Sequence, residues 1–375
     1  VKLRKLIRRY QTHPLSRWHG LRHATKVNHI NLLRQIDQRH GHVKLKRIKG
    51  RTLIKWHARW LDGGKYSSAR AFIKKIRVVF GFGLTILEDK ECARLRQVMS
   101  AMRFPGAPKG KQRLTAEQAI AVRQRAWRGG WASVALAQAF QFEIMLRQKD
   151  VIGEYIPASL REGGAGIVVG DEKWVRGLFW SEISDDLILR HQTSKTGKQV
   201  VADLKLAPMV MEDLRRVGVV SRRGLPRIVK WLDGPVITDE RTGLPYYAWD
   251  FRRIWRTIAR AEGIPDAVCN MHSRHGAITE AFDAGADPDF IRAAATHSEL
   301  ATTQGYNRGE ELRRSSAVLR ARVRQRAKPA HRVGRRDVRL TRMSRTTKAG
   351  IDVSSRSRHA SGHQSGHARR SESAA

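Results

Sequence analysis

The sequence predicts a mainly α-helical protein with a small antiparallel β-sheet, an α+β class, folded in two parts. Apolar and aromatic residues recur at helical spacing through the first hundred residues, and a basic stretch with proline and glycine then interrupts them. Beyond Trp174 the period shortens to about two for three short runs. At 375 residues each part is long enough to bury a core of its own.

The formal net charge of +39 exceeds anything a fold requires, so it describes partners. A polyanion is the natural one. Positive charge recurs along the whole chain, whereas a membrane-surface protein concentrates it beside an apolar face, which favours nucleic acid over a membrane. The longest apolar stretch, 78–87, is too short and glycine-rich to span a bilayer. No secretory signal opens the sequence. Cys92 and Cys269 lie far apart and make no framework of bridges, the usage of a reducing compartment. A cytoplasmic location is expected.

Residues 1–102 read as helices anchored by Tyr10, Trp18, Trp56, Trp60, Phe72 and Phe80. The clearest covers 67–80, where Phe72, Ile76, Val79 and Phe80 hold one face and Arg70, Lys74 and Arg77 repeat the spacing two residues earlier. Two residues are roughly 200° around a helix, which sets charge and core on opposite sides. Acidic partners at i+4 are missing, so a phosphate-tracking, DNA-binding surface accounts for this face better than an ordinary solvated one. Residues 103–114, RFPGAPKGKQRL, hold two prolines, two glycines and four basic residues and form a linker. Thr115, followed by Glu117 and Gln118, caps the next helix, and the domain boundary falls here.

The helix expected over 133–147 places Leu136, Phe140 and Ile144 on one face with Arg147 three residues on, pointing where the core points. A guanidinium there needs a carboxylate such as Asp150 or Glu143, or an anionic ligand. Runs at 177–180, 186–190 and 199–204 read as three antiparallel strands. HQTSKTGKQ, a Thr-Gly turn bearing Lys195 and Lys198, joins the last two. A hairpin lysine is ordinarily a solubilising edge residue and matters only if the hairpin reaches a site. Helices near 208–217 and 249–262 follow, separated by a loop rich in Gly and Pro.

The stretch 271–306, MHSRHGAITEAFDAGADPDFIRAAATHSELATTQGY, sets Arg274, His297 and Tyr306 at the ends of short helical segments. Arg274 opens a helix with the face Ala277, Ile278, Ala281 and Phe282, closed by Gly285. Asp287-Pro288 gives an N-cap and a proline at N1 for a helix ending near Thr296. Ser298 caps a last short helix. Beyond Tyr306 there is no Phe, Trp or Tyr, and positions 311–375 hold eighteen Arg or Lys against four Asp or Glu. That composition predicts a sparse helix to 326 through Leu312, Leu319 and Val323, then a basic disordered tail over 327–375.

Two arginines, a lysine, a histidine and a tyrosine, with no acidic cluster to hold magnesium, suit phosphodiester cleavage without metal. Bidentate guanidinium groups fit the non-bridging oxygens of the transition state. A tyrosine hydroxyl attacks in line and stores the bond energy as a phosphotyrosine, while a lysine ammonium protonates the leaving 5′-hydroxyl. No cofactor is expected. Cys269, His272 and His275 at three-residue spacing lack a fourth ligand and hold an arginine among them, which disfavours a metal site. GGAG at 163–166 lacks the lysine and helix of a phosphate loop and reads as a turn.

In order and spacing these motifs resemble the tyrosine recombinase, or phage integrase, family over residues 1–326. LRQKD around Arg147 is similar to its first arginine box, TSKTGK to the hairpin of its catalytic lysine, at Lys195, and SRHGA to its second arginine, at Arg274. THSELATTQGY resembles its histidine followed nine positions later by the nucleophilic tyrosine, His297 and Tyr306. The resemblance implies a helical core-binding domain at 1–102 that clamps DNA and a catalytic domain at 115–326. It implies site-specific cutting and rejoining through a 3′-phosphotyrosyl intermediate, to integrate or excise a mobile element. Double-stranded DNA at specific recombination sites, a homotetramer on that DNA and accessory DNA-bending proteins are the implied partners.

One position departs from the family. Three residues before the second arginine a histidine or lysine is usual, and Met271 stands there, so either His272 substitutes from the neighbouring register or the site runs without this donor. Reduced or retuned activity is expected. The competing function is a DNA-binding protein of the same fold that has lost turnover; a topoisomerase of similar chemistry is disfavoured by the motif order.

Overall fold

Helical periodicity in the first hundred residues becomes five helices: α1 (Leu3–Thr12), α2 (His23–His40), α3 (Gly50–Leu61), α4 (Tyr66–Thr85) and α5 (Lys90–Ala101). The computed structural model describes residues 1–106, 110, 112–164, 166–221, 223, 233–305, 319, 322 and 323. Tyr10, Trp56, Trp60, Phe72 and Phe80 lie in one aromatic core with Trp18 at its margin. The four apolar residues assigned to one face of α4 are all buried, while Arg70 and Lys74 are exposed. The helix runs on to Thr85 because Phe82 and Gly83 still face the core. A Cβ at Gly83 would lie 2.3 Å from the Cys92 sulfur, so glycine is what lets α5 approach.

A second core begins at Leu114. Thr115 and Gln118 form the expected capping box at the head of α6 (Ala116–Arg128). The next helix, α7 (Ala132–Glu143), is buried at every position from Val134 to Phe142, so the rest of this half packs around it. Arg123 on α6 forks onto Asp213 of α9 (Pro208–Arg216) at 2.7 and 2.8 Å, and Trp127 donates to the same carboxylate at 2.7 Å. The bidentate geometry satisfies both buried charges. The helical half and this half belong to one compact unit, Val1–Ser315; Ser316–Ala375 form another, in which Leu319, Arg322 and Val323 are helical. Leu312, the linker positions 107–109 and 111, and the tail from 324 onward lie outside the described residues.

Among the described residues five strands make two small antiparallel sheets. β1 (Glu154–Pro157), β2 (Ile167–Val169) and β3 (Glu172–Val175) pair in the order β1-β3-β2. The hairpin of β4 (Ile188–Gln192) and β5 (Gln199–Asp203) pairs His191 with Val200. The strand expected at 177–180 is not formed: Phe179 makes an isolated bridge to Pro235, and the strand lies at β3 instead. Arg176, at φ +68°, turns the chain there, and Gly177 packs where a Cβ would sit 2.2 Å from the Trp174 ring. Gly163, Gly164 and Gly166 of the GGAG run lie between β1 and β2, all at positive φ.

The helices α8 (Gln148–Ile152), α10 (Ala248–Ala261), α11 (His272–Asp283), α12 (Pro288–Ala294) and α13 (Leu300–Gln304) complete the order. Two sequence expectations are corrected. The helix expected to reach 147 stops at Glu143, and Arg147 is the N-cap of α8, because Met145 at φ +55° breaks the helical path. Ser298 does not cap α13; Glu299 holds that position, and Ser298 lies in the loop before it. Asp287 caps α12 as expected, accepting the Asp289 amide at 2.7 Å. No helix among the described residues is long and apolar enough to cross a membrane.

The base of α11 meets the start of α6 closely enough that a Cβ at Gly276 would stand 1.7 Å from the Leu114 carbonyl oxygen. Backbone cannot retreat there, since the Leu114 amide also donates to His272 O at 3.3 Å. Gly276→Ala is expected to cost about 1–3 kcal/mol by overpacking, read as a lower urea midpoint. A midpoint equal to the parent's would show that this approach is not tight.

Candidate active site

The site is built from Arg274 outward. Its helix, α11, is fixed at its base by a buried polar network that reaches the central helix. Ser273 Oγ donates to Asn270 O at 2.6 Å, Gln138 Nε2 of α7 donates to Ser273 Oγ at 3.0 Å, and Trp255 Nε1 of α10 donates to Gln138 Oε1 at 2.8 Å. From this anchored base the Arg274 guanidinium donates to two backbone carbonyls, Nη1 to Met145 and Nη2 to Ala295. Each carbonyl lies two residues before another candidate site residue, Arg147 and His297 respectively. Both loops also carry a non-glycine residue in the left-handed region, Met145 at φ +55° and Thr296 at φ +52°. That conformation is unfavourable for any side chain and more so for a β-branched one.

His297 emerges from the second loop. It is 6% exposed, and its Nδ1 lies 3.0 Å from the hydroxyl of the buried Thr303 on α13. Burial, followed by the positive charges of Arg274, Arg147, Lys195 and Lys198, pushes its pKa down to about 4. The imidazole is therefore neutral at neutral pH. Lys198 donates to the His297 carbonyl at 3.2 Å, tying the β4–β5 hairpin to the histidine loop.

Of the partners expected for Arg147, the carboxylate is Asp150. Asp150 faces it at 3.6 Å, beyond hydrogen-bond range, so the ion pair is loose. Arg147 Nη1 and Asp150 Oδ2 are both buried without a hydrogen-bond partner. The other oxygen, Asp150 Oδ1, accepts the Ser194 amide on the lysine hairpin at 2.7 Å. Glu143 is engaged elsewhere, accepting the Val210 amide at 2.9 Å. A buried guanidinium nitrogen left unsatisfied points to an anion that completes it.

Arg147, Lys195, Arg274 and His297 line one cavity of about 420 Å³. Thr302 of α13 lines it too, and the chain reaches Tyr306 directly after Gly305, the C-cap of that helix. Tyr306 itself lies outside the described residues. The cavity also takes in Met271, Arg252 and His275, but not His272. His272 Nδ1 accepts the Cys269 amide at 2.9 Å, a contact internal to the turn before α11. Thus His275, not His272, is the histidine that flanks the cavity on this side. Its one signal in sequence was adjacency to Arg274; Arg252 gave none beyond a basic position on an amphipathic helix. Among described residues no group of three or more His, Cys, Asp or Glu is placed to hold a metal.

Of the basic face on α4, Arg70 and Lys74 are exposed, but Arg77 donates to Met99 O at 2.9 Å and Met102 O at 3.2 Å and lies over Phe104. It holds the end of α5. A larger cavity of about 630 Å³ lies between α2, α3 and α4, lined by Arg39, Arg59, Trp60 and Phe72, without the convergence of groups found around Arg274.

No protein-family model matches the chain, and no curated protein matches it. Solved structures do match. A lambda integrase fragment, as a dimer bound to a COC′ core site, superposes with a TM-score of 0.61 at 18% identity, covering 83% of this chain and 98% of that one. The lambda integrase tetramer bound to a Holliday junction gives 0.59 at 17% identity, over 83% and 79%. The Tn1549 transposon integrase in complex with transposon right end DNA gives 0.59 at 14% identity, over 86% and 100%. The fold is that of the tyrosine recombinases.

The depressed pKa of His297 has a signed consequence. The folded state resists protonating it until about pH 4, while the unfolded chain takes the proton near 6.5. Its contribution to stability is therefore full above pH 6.5 and is lost as pH falls towards 4. His297→Gln is expected to unfold with about one proton fewer taken up across that window, read from the slope of unfolding free energy against pH. His29 and His40, also pushed down to about 4 by burial first and nearby cations second, keep the rest of the slope. An unchanged slope in the variant would place the His297 pKa near its ordinary value.

Proposed function

We propose that the protein is a tyrosine-type site-specific DNA recombinase of the integrase kind. The observation that carries this reading is the cavity itself: Arg147 with a buried unsatisfied Nη1, Lys195, Arg274 and neutral His297 converge beside the helix that leads to Tyr306. In this reading a DNA phosphate occupies the cavity. Arg147 and Arg274 hold its non-bridging oxygens, and His297 donates a hydrogen bond to one of them. The Tyr306 hydroxyl loses its proton to water as its oxygen attacks phosphorus in line, the bond to the 5′-oxygen breaks, and the Lys195 ammonium gives that oxygen a proton. The resulting 3′-phosphotyrosine keeps the energy of the broken bond, so attack by another strand's 5′-hydroxyl rejoins DNA without a nucleotide cofactor.

The helical residues 1–102 form the core-binding domain, joined by the linker at 103–114 to the catalytic domain at 115–326, and Arg70 and Lys74 track the duplex backbone. Phosphate contacts of this kind position a protein without naming bases. Exchange between two DNA partners calls for a homotetramer, with accessory DNA-bending proteins, and the DNA served is a mobile element. The matched lambda integrase structures include a tetramer on a Holliday junction, and the Tn1549 integrase is bound to transposon DNA, which supports this placing.

The deciding experiment is incubation with a nicked suicide duplex whose site has been selected from random-sequence DNA. A covalent adduct is expected on a denaturing gel, reduced by roughly 10³-fold or more in Tyr306→Phe. An adduct that persists in that variant would sink the assignment. Met271, 61% exposed at the cavity where the family's donor is expected, favours a second reading, a DNA-binding protein of this fold without turnover. Intact binding without any adduct selects it. On the recombinase reading Met271→His is expected to raise the cleavage rate about tenfold by supplying a proton donor. An unchanged rate means that no such deficit exists.

A further inference from the structure

Arg22 stands at the head of α2, in the helical half, yet its guanidinium Nη1 donates to the backbone carbonyl of Ser194 on the β4–β5 hairpin. The next residue, His23, donates its amide to Glu162 Oε2 at 2.7 Å, in the turn between β1 and β2. These contacts are what the local sequence of α2 lacks. Its N-cap, Arg22, makes no side-chain capping bond to the first turn, which holds no acid, so the His23 amide at the positive end of the helix is satisfied from the other half of the chain. Glu162 is fixed in turn by Arg176, Nη2 to Oε1 at 2.7 Å, and Arg176 is held at Glu154 Oε1 of β1 at 2.6 Å. The partner that receives α2 is therefore rigid.

Ser194 is consequently gripped at both backbone groups. Its amide goes to Asp150 Oδ1 at 2.7 Å and its carbonyl to Arg22. Lys195 is the next residue, exposed and otherwise carried on a Thr-Gly turn. Another cavity, of about 320 Å³, runs from Arg22 and Thr25 to Ser194, and shares Arg147, Lys149 and Lys195 with the cavity around Arg274. The head of α2 thus stands beside the reaction cavity rather than remote from it.

We propose that Arg22 is a positioning residue for Lys195: by holding the Ser194 carbonyl it makes the aim of the general acid depend on the docking of α2 against the hairpin. This rests on the recombinase reading above. Arg22 touches neither the scissile phosphate nor the leaving oxygen in this scheme. Docking the helical half against the hairpin and readying the proton donor become one event, since the Arg22–Ser194 contact serves both.

Two measurements on the full chain test it. Amide exchange of the 193–198 segment, followed without DNA, is expected to quicken about tenfold in Arg22→Ala, because one of the two grips on Ser194 is gone. Unchanged exchange there overturns the proposal whatever the activity. The second uses the selected suicide duplex with sulfur in place of the bridging 5′-oxygen. A thiolate leaves without being protonated, so a defect that acts through the general acid disappears on this substrate. Arg22→Ala is expected to cleave ordinary DNA about tenfold more slowly than the parent and the sulfur-bridged DNA at the parent's rate, as Lys195→Ala does. Arg22→Lys, keeping charge and one donor, is expected to lie between. A deficit of Arg22→Ala that persists on the sulfur-bridged DNA, with an unaltered thermal midpoint, refutes positioning of Lys195. Absence of any adduct from the parent refutes the recombinase reading instead, and the exchange measurement still decides whether Arg22 holds the hairpin.

Discussion

One guanidinium holds the site together. Arg274 reaches the Met145 carbonyl 129 residues upstream and the Ala295 carbonyl 21 residues downstream. Both loops need such a tie, because each passes through a left-handed non-glycine residue that costs about 1–2 kcal/mol. A hydrogen bond from a charged donor contributes about 1.5–3 kcal/mol, enough to hold either loop in that state. Shortening or removing this side chain would therefore release Arg147 and His297 together, besides deleting a cation from the cavity. Gly276 and the Ser273–Gln138–Trp255 network matter for the same reason: they fix the base from which Arg274 reaches.

Electrostatics then account for the state of the cavity. Arg147, Lys195 and Arg274 converge with Lys198 close by, and the one carboxylate against Arg147 is Asp150, at a distance too long for a hydrogen bond. Burial first, and the like charges beside it second, disfavour a proton on the histidine, which stays neutral instead of adding a further charge. In the proposed chemistry a phosphodiester entering this cavity would relieve the repulsion and satisfy the orphaned Arg147 nitrogen. The cations that would attract such an anion thus add to the burial that keeps His297 neutral.

The legible parts of the sequence were those set by local rules. Aromatic periodicity marked residues 1–102 as helical and delimited α4, the Thr115 and Asp287 caps marked helix starts, and the Thr-Gly turn marked the hairpin. What was misread depended on distant partners. The period of α7 continues past Glu143, so the sequence extends the helix to Arg147; the chain instead turns at Met145, a turn held by a donor 129 residues away. Arg176 and Gly177 end a strand because the Trp174 ring fills the space beyond, which no local pattern announces. For the candidate site, the resemblance to the recombinase motifs singled out Arg147, Lys195, Arg274 and His297, which line one cavity, but not the choice between neighbouring histidines. That choice follows from Met271 being the N-cap of α11: the register then puts His275 on the cavity side and leaves His272 bonded to the Cys269 amide.

Asp150 shows why the cations of the cavity are not independent. It is fully buried, and each of its oxygens faces a different member of the set: Oδ2 the Arg147 guanidinium, Oδ1 the Ser194 amide beside Lys195. Moving the carboxylate towards Arg147 lengthens its bond to the hairpin, and moving it towards the hairpin loosens the ion pair further. An anion that draws Arg147 forward shifts this balance to the hairpin side and tightens the hold on the segment bearing Lys195. The clamp and the proton donor of the proposed chemistry are therefore coupled through one side chain, and substitutions at Arg147 and Lys195 should not combine additively, as expected for residues that share a partner.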